Sequence, residues 1–428
     1  MFFAAEHNNF EIVQLLLSKK GTEISTNAFR NCMKLSELTI PSSIQAIGDC
    51  AFFGCESLKR ITIPLSVTRI GKAAFGQCRS LEKVEIPSSI TKLNEYLFKN
   101  CISLKEVVIP SSIACIEKGI FNGCSKLERV TIPPTVTSIK EFVFDECRSL
   151  KTIGIPPSVT EIGAYSFSMC SSLTQITIPE SIDSINESAF SGCSSLEQII
   201  IPSSVTSIKS YAFYDCSSLK QITIPSSVTE IGSFSFSKCS SLSDISILSS
   251  ITSICESTFD RCSSLVRISI PSSVVEIEDS AFEECSSLEQ VEMPNSLESI
   301  GSSVFKGCHS LNEIVIPDSV TTIGKNTFSD CSSLVQVSIS SSLTSIAAYM
   351  FHGCVSLEEI SIPSSVESIG EYAFFRCTSL KKISIPKSVV SVGENILFGC
   401  ASLTQITIPS FLCSQNFGIF QKIKVIKI

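Results

Sequence analysis

The chain has 428 residues, of which 43% are hydrophobic, and a formal net charge of −8. A single globular core seldom extends over so many residues, so this length favours a repeat array or several domains. Lysine and arginine form no basic block, which argues against nucleic acid as a partner. No apolar run approaches the ~20 residues that a membrane span requires, so no transmembrane segment is predicted.

Residues 1–21 do not share the pattern of the rest of the chain. From Ala4 to Leu17 they read AAEHNNFEIVQLLL, which resembles the second half of an ankyrin repeat, with Asn8 in place of the usual glycine. The spacing of the apolar residues predicts an amphipathic helix. Half a repeat cannot bury its own apolar face, so this segment either caps the array that follows or belongs to a longer ankyrin array. We favour the second interpretation.

Cysteine then recurs every 23 residues from Cys32 to Cys400, seventeen times without an insertion or a deletion. Counted from this cysteine column, the unit reads C-x-S-L-x-x-I-x-I-P-x-S-V-x-x-I-G-x-x-A-F-x-x. A fixed period of this length is typical of a solenoid in which each coil contacts only its neighbours. The sequence therefore predicts a stack of similar coils.

Each part of the unit predicts its own local structure. The segment L-x-x-I-x-I alternates as a half-buried strand does, and proline ends the strand because it has no N–H to donate. Phenylalanine, cysteine and leucine then follow one another three residues apart, which favours one turn of α- or 3₁₀-helix. We expect short strands that form a parallel sheet on a concave face, with helical or 3₁₀ turns on the convex side.

The 23-residue consensus resembles the BspA-like, or Treponema-type, leucine-rich repeats over residues 22–409, about 17 repeats. Serine stands where asparagine or cysteine is usual in leucine-rich repeats, and its hydroxyl can still bond the turning backbone. The resemblance implies a surface antigen or an adhesion protein. Residues 410–428 break the consensus and are predicted to form a degenerate last repeat and C-terminal cap, ending in a strand.

The sequence offers little for catalysis. Its three histidines, His7, His309 and His352, have no carboxylate at a recurring offset to orient them. The in-register cysteines point the same way, so we expect buried thiols that act as small hydrophobes rather than disulfides. No catalytic residue, cofactor or metal site is predicted, and the chain is expected not to be an enzyme.

The outward positions of the predicted strands are the slots in which the repeats differ, and repeat proteins usually bind through that face. Early repeats carry basic residues mixed with glutamates there, whereas late repeats carry acidic and amide residues. The candidate protein-binding residues are Lys59, Arg60, Lys83, Lys105, Arg129, Glu289, Gln290, Glu292, Glu313, Glu358 and Glu359. The competing interpretation is a solvated face with drifting charges, and the absence of tryptophan argues against a ready-made hot spot.

The leading hypothesis is thus a monomeric, non-enzymatic protein-binding repeat protein, with a surface adhesion or antigen role implied by the resemblance. The alternative is an intracellular ankyrin and leucine-rich-repeat scaffold or adaptor. Met1 to Phe10 shows no basic segment before an apolar core, so no signal peptide is predicted. A cytoplasmic location is the default expectation, with the cell surface as the location that the family resemblance implies.

Overall fold

A computed structural model describes residues 21–413, 415–419 and 423–428 of the chain. The ankyrin-like helix expected between Ala4 and Leu17 lies outside these residues. The chain divides into two compact units, one ending at Leu219 and the other beginning at Lys220. Each unit is a solenoid of parallel strands built from 23-residue coils, as the sequence predicts.

The strand after each cysteine forms the first side of the coil, which we call the strand face. These strands alternate exposed and buried residues because the isoleucines of L-x-x-I-x-I point inward. In the first unit they are Glu37–Thr39, Arg60–Thr62, Lys83–Val84, Glu106–Val108, Arg129–Thr131, Thr152–Ile153 and Gln175–Ile176. In the second unit they are Gln221–Ile224, Asp244–Ile247, Arg267–Ser269, Gln290–Glu292, Glu313–Val315, Gln336–Ser338, Glu359–Ser361, Lys382–Ser384, Gln405–Ile408 and Lys424–Lys427.

A second set of strands, each two residues long, forms the second side of the coil around the isoleucine of V-x-x-I. In the first unit they are Glu23–Ile24, Ala46–Ile47, Arg69–Ile70, Cys115–Ile116, Ser138–Ile139, Glu161–Ile162, Ser184–Ile185 and Ser207–Ile208. In the second unit they are Glu230–Ile231, Ser253–Ile254, Glu276–Ile277, Ser299–Ile300, Thr322–Ile323, Ser345–Ile346, Ser368–Ile369 and Ser391–Val392. Paired residues are 23 positions apart, for example Ser138 opposite Glu161. The 23-residue period of the sequence therefore sets the register in which these strands pair.

The third side, which we call the turn face, links phenylalanine to cysteine through β-turns. The N–H of Cys170 donates to the carbonyl of Phe167 at 3.2 Å, which is the expected spacing of three residues. The expected helical turn does not form, because Tyr165 and Met169 have positive φ angles of 59° and 56°. Between them, the N–H of Phe167 donates to the carbonyl of Ala189 in the next coil at 2.9 Å. The turn face is thus a ladder of hydrogen bonds between coils.

Glycine in the slot after V-x-x-I allows neighbouring coils to approach closely. A Cβ atom added to Gly163 would lie 2.6 Å from the backbone nitrogen of Glu141 in the preceding coil. Where asparagine takes the slot, its amide donates to the preceding coil instead, as Asn94 does to the carbonyl of Ile70 at 2.6 Å. Both solutions keep the coils in contact on this side.

The core is a set of columns, one residue per coil. The phenylalanine rings stack with centroids 5.3 Å apart between Phe144 and Phe167 and 5.6 Å apart between Phe167 and Phe190. In the second unit the same column is seen between Phe259 and Phe282, at 5.4 Å. The rings are fully buried, together with the cysteine and leucine columns beside them. The apolar slots deduced from the repeat therefore form the core.

The serine slot also bonds between coils. The Ser89 hydroxyl donates to the carbonyl of Val67 at 2.6 Å, and the Thr135 hydroxyl donates to that of Ile113 at 2.9 Å. Ser273 repeats the bond in the second unit. The acceptor is therefore the backbone of the preceding coil rather than the serine's own turn.

The chain ends with a 3₁₀ helix, Ser410–Leu412, and the strand Lys424–Lys427. This strand pairs in parallel with Gln405–Ile408. The strand expected in the tail is therefore present, and it lies against the last strand of the repeats.

Candidate functional site

The strand face of the first unit brings together the basic residues singled out in the sequence. Arg60 is opposite Lys83, and Glu106 is opposite both Lys83 and Arg129 in the register of the sheet. The row one residue earlier alternates in sign from coil to coil: Lys59, Glu82, Lys105, Glu128 and Lys151. Because such strands lie about 4.8 Å apart, this alternation avoids repulsion between like charges.

Side chains of neighbouring coils line a groove of about 500 Å³ on this face. Its charged lining consists of Arg60, Lys83, Lys105, Arg129, Glu82, Glu85, Glu106 and Glu128. Lys83 pairs with Glu85 at 2.9 Å, and Arg129 lies 3.8 Å from Glu106. Arg60 and Lys105 have no ion pair among the residues that the structure describes. Lys59, which is exposed on the same face, has none there either.

The strand face of the second unit carries the acidic stretch. Gln290 and Glu292 bound one strand, Glu289 precedes it, and Glu313 begins the strand of the next coil. Gln290 is opposite Arg267 in the register. Glu289, Glu292 and Glu313 are exposed and have no ion pair within the described part of the chain. This part of the stretch presents uncompensated negative charge.

The acidic stretch ends earlier than the sequence suggests. The carboxylate of Glu358 accepts a hydrogen bond from the Lys381 ammonium at 2.7 Å, and Glu359 is opposite Lys382 in the register. Lys381 and Lys382 follow the acidic stretch in the sequence, but they belong to the next coil and therefore lie beside these carboxylates. Glu358 and Glu359 are on the strand face, but their charge is offset.

Two apolar residues on the same face were missed in the sequence. Val315 and Val335 are 67% and 48% exposed; Val315 ends the strand that begins at Glu313, and Val335 immediately precedes the strand that begins at Gln336. An apolar residue in an outward slot of the repeat is the signal that would have found them. Together with the carboxylates they give the face a mixed apolar and acidic character.

The histidines that the structure describes are bound locally. His309 Nδ1 lies 3.0 Å from the carbonyl oxygen of Asp330, and His352 Nδ1 lies 3.3 Å from the Ser329 hydroxyl. Within the described ranges, no group of three or more His, Cys, Asp or Glu side chains could hold a metal ion. Nor does any helix in those ranges have the length and apolar character needed to cross a bilayer.

All 21 cysteines are free thiols. Thiols of the column donate to the backbone of the preceding coil: the Cys193 thiol donates to the carbonyl of Phe167, 26 residues earlier, at 3.2 Å. Burial raises the pKa of Cys193 to about 12, and it does the same for Cys124. From Cys78 to Cys193 and from Cys262 to Cys400, the column thus consists of satisfied, protonated thiols. Its hydrogen bonds give cysteine a role in the repeat that a purely apolar residue could not take.

A thiol reagent at pH 8 is expected to label exposed Cys413 first, then the half-buried Cys50, Cys115 and Cys255. At that pH a thiol of pKa 12 is a thiolate in about one molecule in 10,000, and the thiolate is the reacting form. The column should react only after denaturation, as measured by mass spectrometry of labelled peptides. Rapid labelling of Cys193 in the native protein would contradict this.

Comparison with known proteins identifies the repeat. The protein-family model that describes the BspA type leucine-rich repeat region matches residues 22–148, 91–219, 184–312 and 298–427 of the chain. The chain belongs to the BspA-type leucine-rich repeat family. Among solved structures, this BspA-type chain is similar to a leucine-rich repeat protein from Bacteroides ovatus, with 28% identity, 92% of each chain covered and a TM-score of 0.61.

A leucine-rich cell surface protein from Faecalibacterium prausnitzii is also similar, with 27% identity, 87% of each chain covered and a TM-score of 0.40. No protein of curated function matches the BspA-type chain. The match to the BspA-type family model confirms the family assignment made from the 23-residue consensus.

Proposed function

We propose that this BspA-type protein is a non-enzymatic docking protein whose strand face binds another protein. The observation that carries the proposal is the groove of the first unit, which is lined by exposed charges from neighbouring coils. Arg60 and Lys105 have no ion pair among the described residues, so carboxylates of a partner can reach them without breaking a bond. The hydrogen-bond ladders fix the backbone beneath, so little ordering is needed on binding.

Charge reversal tests this surface. Arg60→Glu with Lys105→Glu should lower the affinity for the purified partner at least about tenfold, as measured by calorimetry. Added salt should also lower the affinity of the wild-type protein for this partner. The fold should survive, because both side chains are exposed. Lys126→Glu with Lys325→Glu is the matched control, since both lysines are exposed, have no ion pair among the described residues and lie outside the groove. Loss in the control alone would place the binding surface on another side of the coil.

The acidic stretch is the second arm of the test. Replacing Glu289, Glu292 and Glu313 by lysine shows which unit docks the partner. Binding that is lost in this variant occurs on the second unit, whereas binding that is lost only in the Arg60 and Lys105 variant occurs on the first. Glu358→Lys with Glu359→Lys should have the smaller effect, since Lys381 and Lys382 already offset those carboxylates.

The biological role that we propose for this docking protein is that of a surface adhesin or antigen, which family membership supports. A specific observation favours the alternative of an intracellular scaffold: all 21 cysteines are free, as in proteins of reducing compartments. Protease treatment of intact cells, followed by detection of the chain, separates the two. Cleavage without lysis supports the surface role, whereas protection until lysis supports the scaffold.

A further inference from the structure

The turn face of the second unit carries two short rows of aromatic rings. Tyr349 stacks on Tyr372 with ring centroids 5.1 Å apart. Beside them, His352 stacks on Phe375 at 5.0 Å, and Phe375 stacks on Phe398 at 5.2 Å. Tyr372 and Phe375 meet edge to face at 5.6 Å, which joins the rows. We call these five residues the aromatic cluster.

The fold does not require these rings. The core position of the same coils is already filled by fully buried Phe351 and Phe374. The rings of the aromatic cluster, by contrast, are half-buried, and Phe398 is 37% exposed. Rings of tyrosine and phenylalanine that stay accessible in one patch are typical of interaction sites rather than of solvated turns.

Elsewhere on the turn face, aromatic rings are accompanied by cations of this chain. In the first unit the cation–ring pairs are Arg30 with Phe53 at 4.9 Å, Lys72 with Tyr96 at 5.6 Å, Lys99 with Tyr96 at 5.1 Å and Lys118 with Phe142 at 5.3 Å. In the aromatic cluster, Arg376 lies 5.4 Å from the centroid of Phe375. Tyr349 and Tyr372 have no such cation within the described residues.

The tyrosine row lies beside negative charge instead. Glu371 immediately precedes Tyr372, and Glu394 follows at the equivalent position of the next coil. Both carboxylates are exposed and have no ion pair in the part of the chain that the structure describes. Desolvation, followed by the charge of Glu371, raises the pKa of the Tyr349 hydroxyl. A cation from outside the chain would here meet both aromatic rings and carboxylates.

We propose that the aromatic cluster, with Glu371 and Glu394, is a second docking surface that takes a protein segment presenting arginine among apolar side chains. The guanidinium is the cation that combines stacking on an aromatic ring with paired hydrogen bonds to a carboxylate. The apolar neighbours of that arginine would cover the exposed edges of Phe375 and Phe398. This surface does not depend on the strand face of the proposed function.

Fluorescence anisotropy of a labelled peptide of alternating arginine and valine tests the proposal on the full chain. We expect the peptide to bind, and a glutamate–valine peptide of equal length not to bind. Tyr349→Ala with Tyr372→Ala should weaken binding about tenfold or more. Glu371→Gln with Glu394→Gln should also weaken it and leaves the rings in place, so the test survives if the tyrosine variant folds poorly.

The matched control is Glu298→Gln with Glu367→Gln, which makes the same charge change at exposed residues on the second side of the coil. Its affinity should stay within about twofold of the wild type, since these residues lie outside the aromatic cluster. An equal loss in both carboxylate variants would reduce the effect to general electrostatic attraction and overturn the site. Binding that neither cluster variant weakens would also overturn it. So would sedimentation with phosphatidylcholine vesicles that depends on Tyr372, since it assigns the rings to a lipid surface.

Discussion

Unfolding is expected to set in steeply once the pH rises above about 9, the ordinary pKa of a cysteine thiol. Burial raises the pKa of Cys78, Cys124 and Cys193 to about 12. It also raises the pKa of Cys101, Cys147, Cys170, Cys262, Cys285, Cys308, Cys331, Cys354, Cys377 and Cys400. Between the two values the unfolded chain has released protons that the native chain retains, so the free energy of unfolding falls.

The effect is large because the thiols act together. Each contributes about 1.4 kcal/mol per pH unit, so the six of the first unit together contribute about 8, as much as the whole stability of many domains. Urea unfolding followed by circular dichroism from pH 7 to 11 measures the slope. Replacing Cys101 and Cys124 by alanine should reduce the slope by about 1.4 kcal/mol per pH unit for each thiol. A slope that these replacements leave unchanged would assign alkaline unfolding to lysine or tyrosine.

Phe167→Ala is expected to destabilise the first unit by about 3–5 kcal/mol. The ring is fully buried between Phe144 and Phe190, and its loss leaves a cavity that coils held by backbone hydrogen bonds cannot close. The denaturant midpoint of the first unit, followed by hydrogen exchange, measures the loss.

Gln175→Ala is the matched control in the same coil. Gln175 is exposed on the strand face, so its truncation should cost less than about 0.5 kcal/mol. Similar shifts for the two variants would show that the phenylalanine column is not the main source of stability.

The repeat predicts the fold well because one pattern is repeated many times. The cysteine, leucine and phenylalanine columns, the strand after cysteine and its end at proline could all be read from the period. The β-turns of the turn face could not, because non-glycine residues such as Tyr165 and Met169 carry the positive φ angles there. Those angles are imposed by bonds to the next coil rather than by local propensity.

The sequence predicts that the candidate docking residues lie in outward slots of the repeat, but it does not predict which contacts they make. The period places Glu359 in an outward slot, but its pairing with Lys382 depends on contact between coils 23 residues apart. The aromatic cluster was missed for the same reason, since Tyr349, Tyr372 and Phe375 are distant in the chain. A comparison of the same slot in successive repeats, rather than of residues in chain order, would have revealed both the Glu359–Lys382 pairing and the aromatic cluster.

The in-register strand face limits how such an array can lengthen. A coil copied next to its parent would place every outward side chain about 4.8 Å from an identical one. A copied valine, serine or glutamine tolerates this, but a copied Lys105 would meet its own charge in place of Glu82 or Glu128. Copying coils in pairs keeps lysine next to glutamate. Two coils, 46 residues, are therefore the smallest insertion that preserves the charge order of the first unit.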